Sequence, residues 1–393
     1  MKVLLFILVI TLTLMAACAS ASAFDYAADL SLGVGEEYND NIFLVHTDKI
    51  HDFITTITPD IVLSTKTGKV TVSYSPTFNL YEQHSALNYT SQAASAKGLF
   101  EVSDKTTLGI SDQFIQSQSP LYVMSSLVAA STTPVVVGPF VTGQSRITTN
   151  TAEGDVAYKI SGKVALKATT TYAITDAAQG LEDETTYGGG LSAVYSLTEK
   201  TSLRANANYS YFNYRGSGSS NASDQTYTVG ANFRFTETLA VDVYGGLDVS
   251  RIEQPGKTTV GPAAGISINK GFWKGSATLA YTRSVTAGYQ SNAPLTADLF
   301  SLRYSVPGKG GSLTPSIYGW YGRYKSLSGA SISASQDTDD YGASAEIALR
   351  LSDWSSLILS YSHINSDNQL AKESSYINNI GMLTFKIGKQ VRF

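Results

Sequence analysis

Apolar and polar residues alternate along most of this chain. In SLRANANYSYFNY, Leu203, Ala205, Ala207, Tyr209 and Tyr211 fall on one side of an extended backbone. Ser202, Arg204, Asn206, Asn208 and Ser210 fall on the other. YTVGANFRF repeats the arrangement, with Tyr227, Val229, Ala231, Phe233 and Phe235 on its apolar side. KVTVSYSPTFNLY does so with Val70, Val72, Tyr74, Pro76, Phe78 and Leu80. A period of two with one polar face predicts strands that meet two different solvents. The runs are about 10 to 15 residues long, beyond the 5 or 6 of a usual globular strand and enough for a tilted membrane strand.

The connectors fall into two kinds. KTGK, VSDKT, ISGK, SLTEK, FTET, NKGFW, PGKGG and LSDW carry the Gly, Asp, Ser or Pro chemistry of short turns. Longer polar stretches lie between them, among them EQHSA, GSGSSNASD and NSDNQLAKE. Short and long alternate, as do the periplasmic turns and extracellular loops of an outer-membrane barrel. The pattern predicts 18 strands, at 26–37, 53–67, 69–82, 88–102, 106–118, 146–161, 163–176, 184–197, 201–214, 224–236, 238–252, 258–271, 273–287, 296–306, 312–326, 337–350, 355–367 and 375–393. The first is the weakest, which leaves about 16 as the alternative count.

The expected fold is therefore all-β: a single transmembrane antiparallel up-and-down β-barrel spanning 24–393. A soluble sandwich would place Leu, Ile and Val on the apolar face, whereas Ala, Gly and Tyr are common there. Tyr74, Tyr81, Tyr158, Tyr209, Tyr211, Tyr281, Tyr318 and Trp320 stand near predicted strand ends, where interfacial aromatic girdles occur.

Composition sharpens this. Charged residues make up 15% of the 393, below the roughly 25% typical of soluble domains. A net charge of −4 gives no basic footprint for nucleic acid. One cysteine excludes an internal disulfide and a cysteine zinc site. Met1-Lys2, the apolar run Val3 to Met15 and the small residues Ala19 to Ala23 form the three regions of a secretory signal, with cleavage expected after Ala23. Cys18, in LMAAC, resembles a bacterial lipoprotein processing site, but the downstream Ala-Ser-Ala site competes with it. The expected location is the outer membrane.

The chain ends in TFKIGKQVRF, with Phe385, Ile387, Val391 and Phe393 on one parity. This resembles the C-terminal signal of bacterial outer-membrane proteins, which implies the barrel-assembly machinery as a partner. Lys389 falls on the same, nominally lipid-facing parity and would snorkel to the interface.

The inward parity supplies the pore-lining candidates. The basic ones are Lys97, Lys159, Lys167, Arg204, Arg234, Arg303 and Arg350. The acidic ones are Glu101, Glu153, Asp155, Asp242, Asp248 and Glu346, with Asp60 beside them. The signs nearly balance, which predicts a polar water channel with no strong field. Cross-strand pairing that only solvates the wall is the simpler role for any one of them. Tyr81 and Tyr244 are candidate stacking surfaces for sugars. Arg283 lands on the lipid parity, so a bulge or a register error is expected there. Residues 119–145 form a long connector without charge, either a constriction or a docking surface.

GEEYNDNIFL, Gly35 to Leu44, is the most distinctive string. Its carboxylates and amides suit a cation or simply an acidic turn. It resembles a stretch near the N-terminus of β-barrel porins associated with exopolysaccharide operons in Gram-negative bacteria. The resemblance implies an outer-membrane barrel suggested to pass polysaccharide, with polysaccharide or its export apparatus as a partner. The chain carries His46, His51, His84 and His363 as its only histidines. HTDKIHD offers a loop metal site without helical spacing to support it. Catalysis would need His84 or His363 beside a serine and a carboxylate. No enzyme activity, cofactor or resident metal is expected. The expected function is a porin passing hydrophilic solutes; the alternative is a non-conducting scaffold that docks a partner through 119–145.

Overall fold

The computed structural model describes residues 26–65, 67, 69–118, 146–177, 183–215, 221–254, 256–286, 294–306, 312–327, 337–370 and 372–392. Its strands are β1 (Tyr26–Asn39), β2 (Asp52–Thr65), β3 (Val70–Tyr81), β4 (Tyr89–Ser103), β5 (Thr106–Ser117), β6 (Ile147–Lys159), β7 (Val164–Ala177), β8 (Asp183–Ser196) and β9 (Thr201–Arg215). They continue as β10 (Ala222–Thr236), β11 (Leu239–Ile252), β12 (Lys257–Phe272), β13 (Gly275–Thr286), β14 (Leu295–Ser305), β15 (Leu313–Ser326), β16 (Asp337–Arg350), β17 (Ser355–Asn368) and β18 (Tyr376–Arg392). The predicted signal peptide with Cys18, the connector 119–145 and Phe393 lie outside the described residues.

Each strand pairs antiparallel with its chain neighbours, and β18 pairs back onto β1, from Ala27↔Arg392 to Asn39↔Ile380. The sheet is a closed 18-stranded up-and-down barrel with no edge. The count of 18 matches the alternation, with β1 included. Both described ends lie at the rim that carries the short connectors.

Hydroxyl side chains shape those short turns. Ser103 Oγ accepts the backbone N–H groups of Lys105 and Thr106, and Ser161 Oγ those of Lys163 and Val164. Thr198 and Ser352 do the same for Lys200 and Trp354. Such side-chain acceptors stand in for the ladder where the chain reverses. Register shifts at Glu101/Ser103 and Arg234/Thr236 sit at the same rim.

One face of the sheet exposes large apolar side chains, such as Leu191, Leu203, Val229, Leu279 and Leu359, with Val229 at 69%. The other carries the polar parity and forms the concave interior, where side chains two strands apart reach each other. Arg204 on β9 bonds Asp242 on β11 across Gly230 of β10. A Cβ at Gly230 would lie 2.5 Å from Val243 O, so that approach needs glycine.

The wall is interrupted at the β2–β3 seam. The β2–β3 ladder runs from Ile54↔Tyr81 to Ile57↔Phe78 and resumes at Ile61↔Tyr74. Between them Pro59 faces Pro76, and neither ring nitrogen can donate. Thr58 Oγ1 and Thr77 Oγ1, 3.0 Å apart, bridge the gap on the interior side.

Candidate functional site

The barrel interior is the candidate site, and its geometry is set at the rim with the long connectors. After β1 the chain turns inward instead of arching away. Asn41 fixes the turn: its Nδ2 donates to Val45 O at 2.8 Å and to Ile377 O at 3.0 Å, while its Oδ1 accepts Val45 N–H at 3.0 Å. Asn39 Oδ1 accepts the Asn41 N–H, and Asp40 accepts both the backbone N–H and the side-chain amide of Asn379. Asn41 is fully buried, and these bonds satisfy its side chain.

Two apolar contacts then hold the segment against the inner wall. Ile42 packs with Ile54, Tyr81, Phe43, Leu87 and Tyr89. Leu44 packs with Tyr376, Trp320 and Ile364. The segment 40–51 thus lies along the arc from β15 through β18 and β1 to β4, and its exposed tip carries His46, Asp48 and Lys49. Leu44 and Asp48 both have φ of 53°, which side chains rarely adopt. The burial of Leu44 keeps that conformation in place. On the opposite arc Leu327, from the β15–β16 connector, packs with Phe212, Tyr214, Ala222 and Ile252 of β9–β11.

GEEYNDNIFL therefore has a structural assignment. Glu37 accepts from Asn39, Glu36 from Thr55, and the remaining polar groups fold the inward turn. Among the described residues no cluster of three metal-ligating side chains occurs, in this string or in HTDKIHD.

All the pore-lining candidates fall on the interior parity of the register. Several meet in pairs: Lys167 with Asp155 at 3.5 Å, Arg204 with Asp242, and Glu101 with Lys69 at 3.4 Å. Asp60 meets Lys386 at 3.5 Å. Arg303 lies over the Tyr318 ring, 5.5 Å from its centroid. Arg350 bends into the β16–β17 turn, where it binds Asp353 at 2.8 Å and the carbonyl of Ser352. Lys97, Glu153, Lys159, Arg234, Asp248 and Glu346 share the interior parity without such a pair among the described residues.

The candidate sugar-stacking rings are partly occupied. Arg204 stands over the Tyr244 ring, 5.3 Å from its centroid, and the ring passes close to Gly265, where a Cβ would come within 2.3 Å of it. Tyr81 is buried under Ile42. Of the aromatics near strand ends, Tyr318 and Trp320 point inward and leave the girdle, and Tyr81 points inward as its candidacy as a lumenal ring requires. Nearness to a strand end does not settle which face a ring takes.

Arg283 keeps the outward parity that alternation gave it. The β13–β14 ladder runs through Arg283↔Asp298 with no register shift, whereas the β12–β13 ladder ends at Ala264↔Arg283 although both strands continue. Arg283 stands on the outer face and pairs with Asp298 at 2.9 Å, where Tyr281 also donates to Asp298 at 2.7 Å. Arg323, Lys325, Asp337 and Asp339 extend this outer ion-pair band across β15 and β16. A second outward polar group joins Gln92, Gln116 and Thr148, next to Asp112 and Asn150. Lys389 is outward and exposed opposite Leu30, near the short-connector rim.

His84 does sit beside a carboxylate: its Nδ1 is 2.8 Å from Asp52 Oδ2. Asp52 also accepts the backbone N–H groups of Gln83 and His84, so the pair clasps the β3–β4 connector to β2. His363 bonds Asn379 on the outer face. Neither histidine is hydrogen-bonded to a serine hydroxyl among the described residues.

The sequence matches no family model and no curated protein. Among solved structures, it is similar to the outer membrane protein OpdK (OccK1) of Pseudomonas aeruginosa, at 12% identity over 94% of this chain and 100% of that one, TM-score 0.47. It is similar to OccK8 (OprE) of the same organism, at 11% identity over 94% and 100% of the two chains, TM-score 0.46. The FrpB iron transporter of Neisseria meningitidis is matched at 10% identity over 88% of this chain and 62% of that one, TM-score 0.48.

Proposed function

We propose that the chain is an outer-membrane channel passing small hydrophilic solutes through a lumen narrowed by the segment 40–51. The observation that carries this is the closed 18-stranded sheet with a charged interior and an apolar exterior. Backbone polar groups can cross a bilayer as strands only in such a closed sheet. Eighteen strands enclose more space than side chains fill, so the interior holds water unless a segment blocks it. Segment 40–51 lies along part of the inner wall and leaves its polar tip exposed. Insertion through the barrel-assembly machinery fits the apolar parity of β18, with Phe385 and Ile387 outward.

The test is conductance of the purified protein in planar bilayers. Stable ion-conducting steps are expected. Their absence from protein shown to be folded and inserted would refute the channel and favour the scaffold reading, in which 119–145 docks a partner. Polysaccharide as cargo is the finer reading. It rests on the resemblance of GEEYNDNIFL, with the strand pattern and the terminal Phe393, while Tyr81 is buried under Ile42 and Arg204 stands over one face of Tyr244. Block of the conductance by long acidic glucans, absent with short oligosaccharides, would support it.

A further inference from the structure

A group of buried polar side chains surrounds the seat of Leu44 on the inner wall. On β18, Tyr376 and Asn378 stand on the interior parity, Tyr376 opposite Ser366 and Asn378 opposite Ile364 of β17. Ser366 in turn faces Asp340 of β16, and Ile364 faces Gly342. Trp320 of β15 leans across Gly342, where a Cβ would come within 2.6 Å of its Nε1. Asp340 and Asn378 are fully buried, and Tyr376 and Ser366 are 2% and 3% exposed. Leu44 reaches the group from the lumen side and packs on Tyr376, Trp320 and Ile364.

Asn378 is the anomaly. Among the described residues neither its Nδ2 nor its Oδ1 has a hydrogen-bond partner. Asn41, equally buried beside the same strand, uses both ends of its amide. Burial at this place therefore does not prevent pairing. An amide buried with both ends unpaired is costly, and an apolar side chain of the same shape would stabilise the wall. Leu44 adds a second cost through its positive φ. The closed arrangement carries both.

The chemistry around Asn378 names a ligand class. Its amide donates through Nδ2 and accepts through Oδ1, and a hydroxyl does both. A cation satisfies only Oδ1. An anion satisfies only Nδ2, and it meets the carboxyl group of Asp340. Neighbouring hydroxyls on a neutral ring satisfy both ends and extend to Ser366 and Asp340. The Trp320 and Tyr376 side chains that Leu44 covers suit the C–H face of such a ring. From Asp340 to Tyr376 the row crosses two inter-strand spacings, about 10 Å, a span that one sugar ring with its hydroxyls can bridge.

We infer that the seat of Leu44 is a binding site for a neutral polyhydroxylated solute of monosaccharide size. The site is closed while Leu44 is seated and is entered when segment 40–51 lifts. The solute then takes the place of Leu44 against Trp320 and Tyr376 and pairs the Asn378 amide. The inference rests on the channel reading and gives it a solute class.

The experiment is equilibrium binding of glucose to the full-length protein in a sugar-free detergent, read from the emission of Trp320. Trp273 and Trp354 are exposed, so Trp273→Phe and Trp354→Phe leave Trp320 as the reporter. A saturable change with glucose is expected in this parent protein. Glucuronate and glucosamine, charged rings of similar size, are expected to bind at least roughly tenfold more weakly, because the site would bury their charge. Asn378→Leu is expected to fold normally and to lose at least about tenfold in affinity. Leu44→Gly, which empties the seat, is expected to bind glucose more tightly than the parent. No saturable change with glucose, the result if water alone pairs Asn378, overturns the inference. So does a charged sugar that binds as tightly as glucose, an Asn378→Leu variant of unaltered affinity, or a Leu44→Gly variant that binds no more tightly. The parent's response decides the matter even if a variant does not assemble. Binding is read without conductance. Protein that binds glucose but never conducts refutes the channel alone, and conducting protein that ignores glucose refutes the inference alone.

Discussion

Replacing Asn41 by Ala tests the inward segment most directly. The Asn41 side chain makes three hydrogen bonds, two to Val45 and one to Ile377 O. Alanine removes all three and leaves the partly buried Val45 N–H without that acceptor. At about 0.5–1.5 kcal/mol net for each bond, the docked segment loses roughly 2–4 kcal/mol. Since about 1.4 kcal/mol is tenfold, docking weakens by roughly 30- to 1,000-fold. Leu44 already opposes docking, because its positive φ costs about 1–3 kcal/mol that its burial must outweigh. The variant is therefore expected to release the segment for much of the time while the 18-stranded wall persists. Single-channel recording should show a larger mean conductance and more open-state noise than the wild type. A conductance distribution identical to wild type would refute the reasoning, provided deletion of 42–50 also leaves it unchanged. In that case the segment does not narrow the path at all.

Other expectations follow from the wall. Pro59→Thr with Pro76→Thr restores two donors at the β2–β3 seam, and about 1–3 kcal/mol of added stability is expected as a higher unfolding temperature on semi-native gels. No change would mean that the strands stay apart there for another reason. Arg283→Leu is expected to cost about 1 kcal/mol, because it leaves Asp298 on the outer face with Tyr281 alone. Combined with Asp298→Leu it should cost less than the sum of the two, and strict additivity would show that the pair is uncoupled. Removing Phe393 should lower the amount of protein inserted in the outer membrane at limiting expression; normal insertion would deny it a role in assembly.

Much of the barrel was legible in the chain because period two is a local property. Each strand declares its own two faces through side-chain alternation, as Leu203 to Tyr211 do against Ser202 to Ser210. The closing strand was readable for the same reason, and Lys389 stands outward where its parity put it. Glycine-rich and hydroxyl-rich turns fixed which connectors would be short. The overall balance of interior charge also followed from counting one parity.

What alternation does not carry is anything that depends on where distant strands meet. The inward turn of 40–51 was not read from the sequence, because the targets of Leu44 are Trp320, Ile364 and Tyr376, which are far from it along the chain. Arg283 looked like a fault in register until β14 placed Asp298 beside it. Tyr244 looked like a bare stacking surface until β9 brought Arg204 over its ring. The height of each charge depends on strand tilt and on which rim each strand end joins, so which interior charges meet in pairs emerged only on closure. The sequence by itself determined an alternating, antiparallel, membrane-suited sheet and its strand number, because those rest on local periodicity. Tertiary structure decided which segment enters the lumen and which interior charges pair, because both depend on contacts across a closed ring.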